Sequence, residues 1–192
     1  MKGPLDGAFS IYSNFNMVNL TLYNPNFDLA LGRAMHAWAI IDQSLGEWFE
    51  FLTKLPKEKS DLIFYSNKSF EDRLQLVFKL IENENIFNSK ILSLLKNRIK
   101  IYNERRNYLV HSMPALSINP DNHEFPVDHI LYSFKKKRKP LRISDLNESY
   151  ESFVEVYDVL IGLLTIANNK NMQLEEYTIH IYEKISSLKN LS

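Results

Sequence analysis

Residues 88–111 read "NSKILSLLKNRIKIYNERRNYLVH", and this stretch decides the fold class. Apolar side chains recur along it at steps of three and four residues, which is the period of one helical face. The stripe consists of Leu92, Leu95, Ile99, Tyr102, Arg106 and Leu109. Pro114 disfavours helical backbone at Met113. We therefore predict a helix from about Asn88 that ends at or near His111.

A longer helix is predicted upstream, from about Leu29 to Leu55. Its apolar face consists of Ala30, Ala34, Trp38, Ile41, Leu45, Trp48 and Leu52. Asn26 or Asp28 is suited to cap its first turn, because asparagine and aspartate side chains accept from free backbone N–H groups. Pro56 and the charged "KEKSD" that follows should end it.

Three more helices are predicted from the same period and from start signals. "SFED", beginning at Ser69, resembles a capping box, in which a serine and an acidic residue three positions later satisfy the first turn. A fourth helix should begin at about Ser144, after which apolar residues again follow the helical period. "LEEYTIHIYEKISSL", at residues 174–188, predicts a fifth helix at the C-terminal end.

Residues 115–143 have a different pattern. "ALSI", "HILYSF" and "LRI" alternate or are β-branched, and the polar stretches "NPDNHEFP" and "KKKRKP" separate them. This is typical of a β-hairpin. Residues 1–26 show no helical period and are interpreted as an N-terminal arm. The predicted fold is mainly α, a four- to five-helix bundle with a small β-hairpin before the last long helix, in a single domain over residues 1–192.

Composition excludes several classes of function. The chain has 192 residues with 23 Lys plus Arg against 23 Asp plus Glu, so a nucleic acid or membrane partner would have to bind a local patch. It has no cysteine, which excludes disulfides, thiolate metal sites and a cysteine nucleophile. The longest apolar run, residues 159–167, is too short to span a bilayer. We expect a soluble, cytoplasmic protein without a membrane partner.

Arg106 and His111 are the residues of this helix that a purely structural role explains least well. Arg106 falls within the apolar stripe, where an unpaired guanidinium is costly. His111 is five residues further, about 140° round an ideal helix, and Asn107 shares its face. Either the last turn unwinds, or the long arginine reaches round, or a second copy of the helix completes the site. A plainer alternative is a histidine that caps the helix and an arginine that reaches water along the stripe.

The stretch "ERRNYLVHS" (104–112) resembles the signature of the HEPN superfamily, small helical domains found in many prokaryotic toxin and phage-defence proteins. Arg106, Asn107 and His111 match its commonest form, Arg-Asn, three residues, then His. The resemblance implies a helical bundle that dimerises, with two motifs forming one cleft. Active members are metal-independent endoribonucleases, and others only bind. Ser112, Met113 and Pro114 depart from the glycine and aromatic that often follow the histidine.

The resemblance assigns roles to five residues. His111 would act as general acid or base, Arg106 would bind the scissile phosphate, and Asn107 would orient His111 or the substrate. Glu104 and Arg105 would support them without contacting the RNA. No cofactor or metal is expected. The expected partners are a second copy of the chain, an RNA substrate and an antitoxin protein.

Two other polar clusters are candidates for binding. The basic patch of Lys135, Lys136, Lys137 and Arg138 could follow an RNA backbone, or could be a solvated hairpin tip. The loop "DNHEFPVDH" (121–129) contains metal-ligand residue types, but its spacing matches no metal-site pattern.

Overall fold

The computed structural model describes residues 24–118, 127–133, 139–169 and 174–188. In these ranges the chain forms six helices and one two-stranded antiparallel sheet. In chain order they are α1 (Pro25–Thr53), α2 (Lys57–Ser66), α3 (Phe70–Asn83), α4 (Ser89–His111), β1 (Met113–Ile118), β2 (Val127–Tyr132), α5 (Ile143–Asn168) and α6 (Leu174–Ser187). The prediction of a mainly helical bundle with a hairpin before the last long helix is therefore confirmed.

The long first helix begins earlier than the sequence suggested. Asn24 caps it: the backbone of Asn24 is extended, and its Oδ1 accepts from the backbone N–H groups of Asn26 and Phe27. The prediction that Asn26 or Asp28 would be the cap was wrong, because Pro25 can occupy the first helical turn, where its missing N–H costs nothing. Of the predicted N-terminal arm, only residues 24–26 lie within the described residues.

Helix α2 was not predicted at all. Pro56 was expected to start a break, yet it directly precedes a ten-residue helix. This helix buries only Ser60 and Phe64, so its sequence has too few apolar positions to show a helical period.

Helices α3 and α4 begin where the sequence indicated. Ser69 Oγ accepts from the backbone N–H of Asp72 and donates to its carboxylate, while Asn88 Oδ1 accepts from the backbone of Lys90. The two helices run antiparallel, since Lys100 Nζ lies 2.9 Å from the Glu71 carboxylate and Lys96 Nζ lies over the Phe78 ring. Because α3 begins opposite Lys100, the last turns of α4 extend beyond it.

The hairpin begins immediately after α4. Met113 pairs with Tyr132 at one end of the sheet and Ile118 with Val127 at the other, so β1 starts two residues before the predicted 115. A further antiparallel bridge joins Leu131 to Leu141, just before α5. The hairpin is thus attached at both ends to long helices, which places it beside the end of α4.

Helices α1 and α5 form the main contact of the bundle. The indole N–H of the fully buried Trp48 donates to the Leu160 carbonyl oxygen over 3.0 Å. The Trp38 and Phe153 rings pack edge to face at 5.2 Å, and Phe153 also contacts Tyr102 of α4 at 5.8 Å. One core of buried side chains therefore connects α4 to α1 and α5. Within the described residues, no helix is long and apolar enough to cross a membrane.

Candidate functional site

The last two turns of α4 carry Arg106, Asn107 and His111, and the helix stays regular through His111. The proposal that its end unwinds before Pro114 is therefore wrong. Arg106 is half-buried, and its Nη1 donates to Asn107 Oδ1 over 3.0 Å. The structure thus joins Arg106 to Asn107 and leaves the Asn107 oxygen engaged by the arginine rather than by His111.

The guanidinium of Arg106 is only partly satisfied. Its Nε is buried without a hydrogen-bond partner in the described part of the chain, and so is the side-chain oxygen of Asn103, one turn earlier. No ion pair joins Arg106 to a carboxylate among the described residues. Burial raises the pKa of Tyr102, the preceding stripe residue, above its ordinary value. Tyr102 is therefore neutral at neutral pH, and the positive charge of Arg106 is not balanced there.

His111 is exposed and is the last residue of α4. It makes no hydrogen bond to another described residue. Ser112 Oγ instead donates to the Tyr108 carbonyl oxygen, so a serine satisfies an acceptor at the helix end. The alternative in which the histidine only caps the helix therefore has no contact to support it.

The buried arginine of this helix is Arg105 rather than Arg106. Arg105 is 9% exposed, and its Nε donates to Ser149 Oγ over 3.0 Å. Its Nη2 lies 3.5 Å from the Asp145 carbonyl oxygen, which also accepts from Ser149. Arg105 therefore fixes the end of α4 to the first turns of α5, whereas Glu104 is exposed.

Tyr108 has a role that the sequence analysis missed. Its hydroxyl lies 3.3 Å from the carbonyl oxygens of both Leu131 and Lys139, which stand on either side of residues 134–138. Two backbone hydrogen bonds, of 2.8 and 3.0 Å, join Leu131 to Leu141 at the same place in the chain. The only sequence signal was a tyrosine between the two motif residues, which does not reveal contacts 23 and 31 positions away.

Val110 and Met113, next to His111 in the sequence, and Tyr132, which is paired with Met113 in the sheet, have exposed apolar side chains. Val110 is 44% exposed, Met113 is 59% exposed and Tyr132 is 38% exposed. Val110 and Tyr108 lie on opposite sides of His111 around the helix, at about 100° and 60° respectively. The imidazole thus stands between an apolar flank on the Arg106 side and the hairpin on the Tyr108 side.

The other predicted clusters lie largely outside the described residues. This applies to the basic patch of Lys135, Lys136, Lys137 and Arg138, and to Asp121, His123 and Glu124. Two residues of the loop at 121–129 are described: the Asp128 carboxylate lies 3.7 Å from the Arg142 guanidinium, and His129 Nδ1 lies 3.1 Å from the side-chain amide of Asn24. No group of three metal-ligating side chains occurs in the part of the chain that the structure describes.

No family model, curated protein or solved structure matches this chain. The resemblance to the HEPN superfamily therefore depends on Arg106, Asn107, His111 and the helix that carries them. Both the family and the activity remain proposals.

Proposed function

We propose that this chain is a metal-independent endoribonuclease of the HEPN type, acting at a cleft shared by two copies. The exposure of His111 carries the proposal. The imidazole is free of hydrogen bonds to the described residues and stands at the end of a regular helix, two residues from the exposed Met113. Histidine is the side chain best suited to exchange protons near neutral pH.

The reaction would be transfer of a phosphoryl group within the RNA. A ribose 2′-oxygen attacks the adjacent phosphorus, the bond to the 5′-oxygen breaks, and a 2′,3′-cyclic phosphate and a 5′-hydroxyl result. One imidazole takes the proton of the 2′-hydroxyl, and an imidazolium returns a proton to the leaving 5′-oxygen. Arg106 would stabilise the negative charge that develops on the phosphoryl oxygens. Its lack of an acidic partner among the described residues supports this role.

A second copy of the chain is part of the proposal. Arg106 and His111 lie about 140° apart on a helix that remains regular, so one chain presents them in different directions. A partner related by a two-fold axis would supply the missing group. Val110, on the Arg106 side of His111 and 44% exposed, is an apolar side chain that such a partner would cover.

The remaining elements of the proposal come from the sequence. Lys135, Lys136, Lys137 and Arg138 would bind the RNA backbone. A toxin or phage-defence role, with an antitoxin protein as partner, would follow from the same activity in a cytoplasmic setting.

The second candidate function is a non-catalytic module of the same superfamily that binds a nucleotide or a protein. The hydrogen bond from Arg106 to Asn107 favours it, because an asparagine engaged by the arginine is not free to orient His111 through that oxygen. In such a module the paired side chains would form a fixed anion-binding surface, and His111 would contribute charge or a hydrogen bond without proton transfer.

Cleavage of a mixed RNA pool in EDTA separates the two candidates. His111→Ala is compared with His36→Ala, which removes another exposed histidine, on α1. We expect wild type and His36→Ala to produce cyclic-phosphate ends, and His111→Ala to be slower by about 100-fold or more. Cutting by His111→Ala at the wild-type rate contradicts the assignment. If none of the three proteins cuts RNA, the binding module becomes the better hypothesis.

A further inference from the structure

Four exposed side chains lie at the end of α4, on the hairpin and just before the bridge to Leu141. They are His111, Met113, Tyr132 and Lys139, and we call them the hairpin strip. Met113 lies directly opposite Tyr132 in the sheet, so their side chains are neighbours on one face. Tyr132 and Lys139 stand one and two residues beyond the bridge between Leu131 and Leu141. The strip therefore contains an imidazole, an aromatic ring and a cation.

The far end of the strip is held close to the motif. Tyr108 contacts the carbonyl oxygens of Leu131 and Lys139, and the two backbone hydrogen bonds of the bridge fix the same chain segments. His111 follows Tyr108 by three residues, which is about 4.5 Å along the axis and about 60° round the helix. The backbone of Lys139 and the imidazole thus belong to one end of α4, on adjacent sides.

We propose that the hairpin strip binds an unpaired RNA strand and guides it to His111. Tyr132 would stack on a base, which needs an unpaired nucleotide because both faces of a paired base are already stacked. Lys139 would pair with a backbone phosphate, which carries the opposite charge. Met113 would contribute apolar surface between the base and the imidazole.

This surface is compatible with the proposed dimer. A partner would cover Val110, which lies on the other side of His111 from Tyr108, so the strip stays open. The guiding role rests on the proposed ribonuclease function, whereas RNA binding by the strip can be measured without cleavage.

The test uses a fluorescent 12-nucleotide RNA with 2′-O-methyl groups throughout, which cannot be cut because it has no 2′-hydroxyl. Binding by fluorescence anisotropy is compared for wild type, Tyr132→Leu and Lys139→Glu. The matched controls are Tyr182→Leu and Lys79→Glu, both exposed. The Tyr182 ring lies near Lys90 at the opposite end of α4, and Lys79 lies on α3. Tyr132→Phe keeps the aromatic ring, so binding that is lost in Tyr132→Leu and kept in Tyr132→Phe depends on the ring.

We expect Tyr132→Leu and Lys139→Glu each to weaken binding about tenfold, and Lys139→Glu to lower the salt dependence by about one phosphate contact. Tyr132→Phe and the two controls should remain within about twofold of wild type. A duplex of the same sequence should bind more weakly than the single strand. Absent binding by wild type, or equal losses in strip and control variants, would overturn the proposal.

The binding and cleavage results separate the two hypotheses. Strip-dependent binding, with no cutting of the matching ribose-containing strand, contradicts the ribonuclease and supports the strip. If cutting depends on His111 but binding is unchanged in Tyr132→Leu and Lys139→Glu, the proposal that the strip binds RNA is wrong and the ribonuclease proposal stands.

Discussion

Arg105 and Arg106 are neighbours with the same side chain and different environments. Arg105 is buried and donates to Ser149 of α5, while Arg106 is half-buried and donates to Asn107 of its own helix. An ideal wheel correctly places Arg106 near the apolar stripe, but it does not show where a long flexible side chain directs its charged end. The sequence therefore identified the arginine with the unbalanced charge and missed the arginine that holds α4 to α5.

The contact between Arg105 and Ser149 should be measurable as a coupling. We expect Arg105→Met to lower the free energy of unfolding by about 2 kcal/mol and Ser149→Ala by about 1 kcal/mol, because each removes the buried hydrogen bond between the two side chains and Arg105→Met also removes the contact with the Asp145 carbonyl oxygen. The double variant should lose about 1 kcal/mol less than the sum, since the shared hydrogen bond is removed only once. Urea denaturation of the four proteins gives the coupling. Strict additivity would show that Ser149 does not stabilise Arg105.

At the scale of elements, predictability follows from the length of the buried face. Helices α1, α3, α4 and α5 each place several apolar side chains on the core, so their three- and four-residue period is visible. Helix α2 buries two residues, and no such period can appear. The sequence also did not identify the N-cap of α1. Asn24, Asn26 and Asp28 are all suitable cap residues, and only the backbone conformation selects among them.

Helices α1 and α3 are joined by a bidentate ion pair between Arg73 and Asp42. Arg73 donates from Nε and Nη2 to the two carboxylate oxygens of Asp42, at 3.0 and 2.7 Å, and from Nη1 to the Asn67 carbonyl oxygen. The Arg73 guanidinium also lies 5.7 Å from the Phe64 ring centroid. The Arg73 side chain is only 12% exposed, so water could not fully replace the two hydrogen bonds that the Asp42 carboxylate accepts.

Removing Asp42 should therefore destabilise the bundle more than removing an exposed aspartate. We expect Asp42→Ala to lower the free energy of unfolding by about 2 kcal/mol, because it leaves a largely buried guanidinium without its carboxylate. Asp61→Ala is the matched control: its partner Lys57 is 68% exposed, and an ion pair so open to water contributes little to stability. Thermal and urea unfolding of both variants provide the comparison. Equal effects would mean that the α1–α3 ion pair adds no more than a surface contact.

At the scale of the whole molecule, the candidate site depends both on residues that are close in sequence and on contacts between distant elements. Arg106, Asn107 and His111 lie within six residues, so the sequence could place them on one helix end. The contacts of Tyr108 with Leu131 and Lys139 depend on how the hairpin folds back on α4. A spacing rule describes neighbours along one element, whereas such contacts follow from packing between elements, which no local pattern encodes.

Tyr102, which is buried in the core, should limit stability at alkaline pH. Tyr102 has no exposed surface, and burial raises the pKa of its phenol above the ordinary value of 10.0. Burial and the nearby Asp42 carboxylate also raise the pKa of Tyr65. Below pH 10 these tyrosines are protonated in both the folded and the unfolded chain. Above it the unfolded chain loses their protons first, so the free energy of unfolding falls as pH rises.

We expect Tyr102 alone to contribute up to about 1.4 kcal/mol per pH unit to this fall once the pH exceeds 10, because its ionisation is then confined to the unfolded chain. Tyr102→Phe keeps the ring in the core and should make the decline shallower, even if it lowers stability somewhat at neutral pH. Urea unfolding from pH 8 to 11 measures the slope. The tyrosinate absorbance of Tyr102, taken as the difference between wild type and Tyr102→Phe, should rise together with unfolding. Tyrosinate absorbance from Tyr102 in the intact fold, or identical slopes for wild type and Tyr102→Phe, would show that water reaches this hydroxyl and that the packing of α4 against α5 is looser than the aromatic contacts indicate.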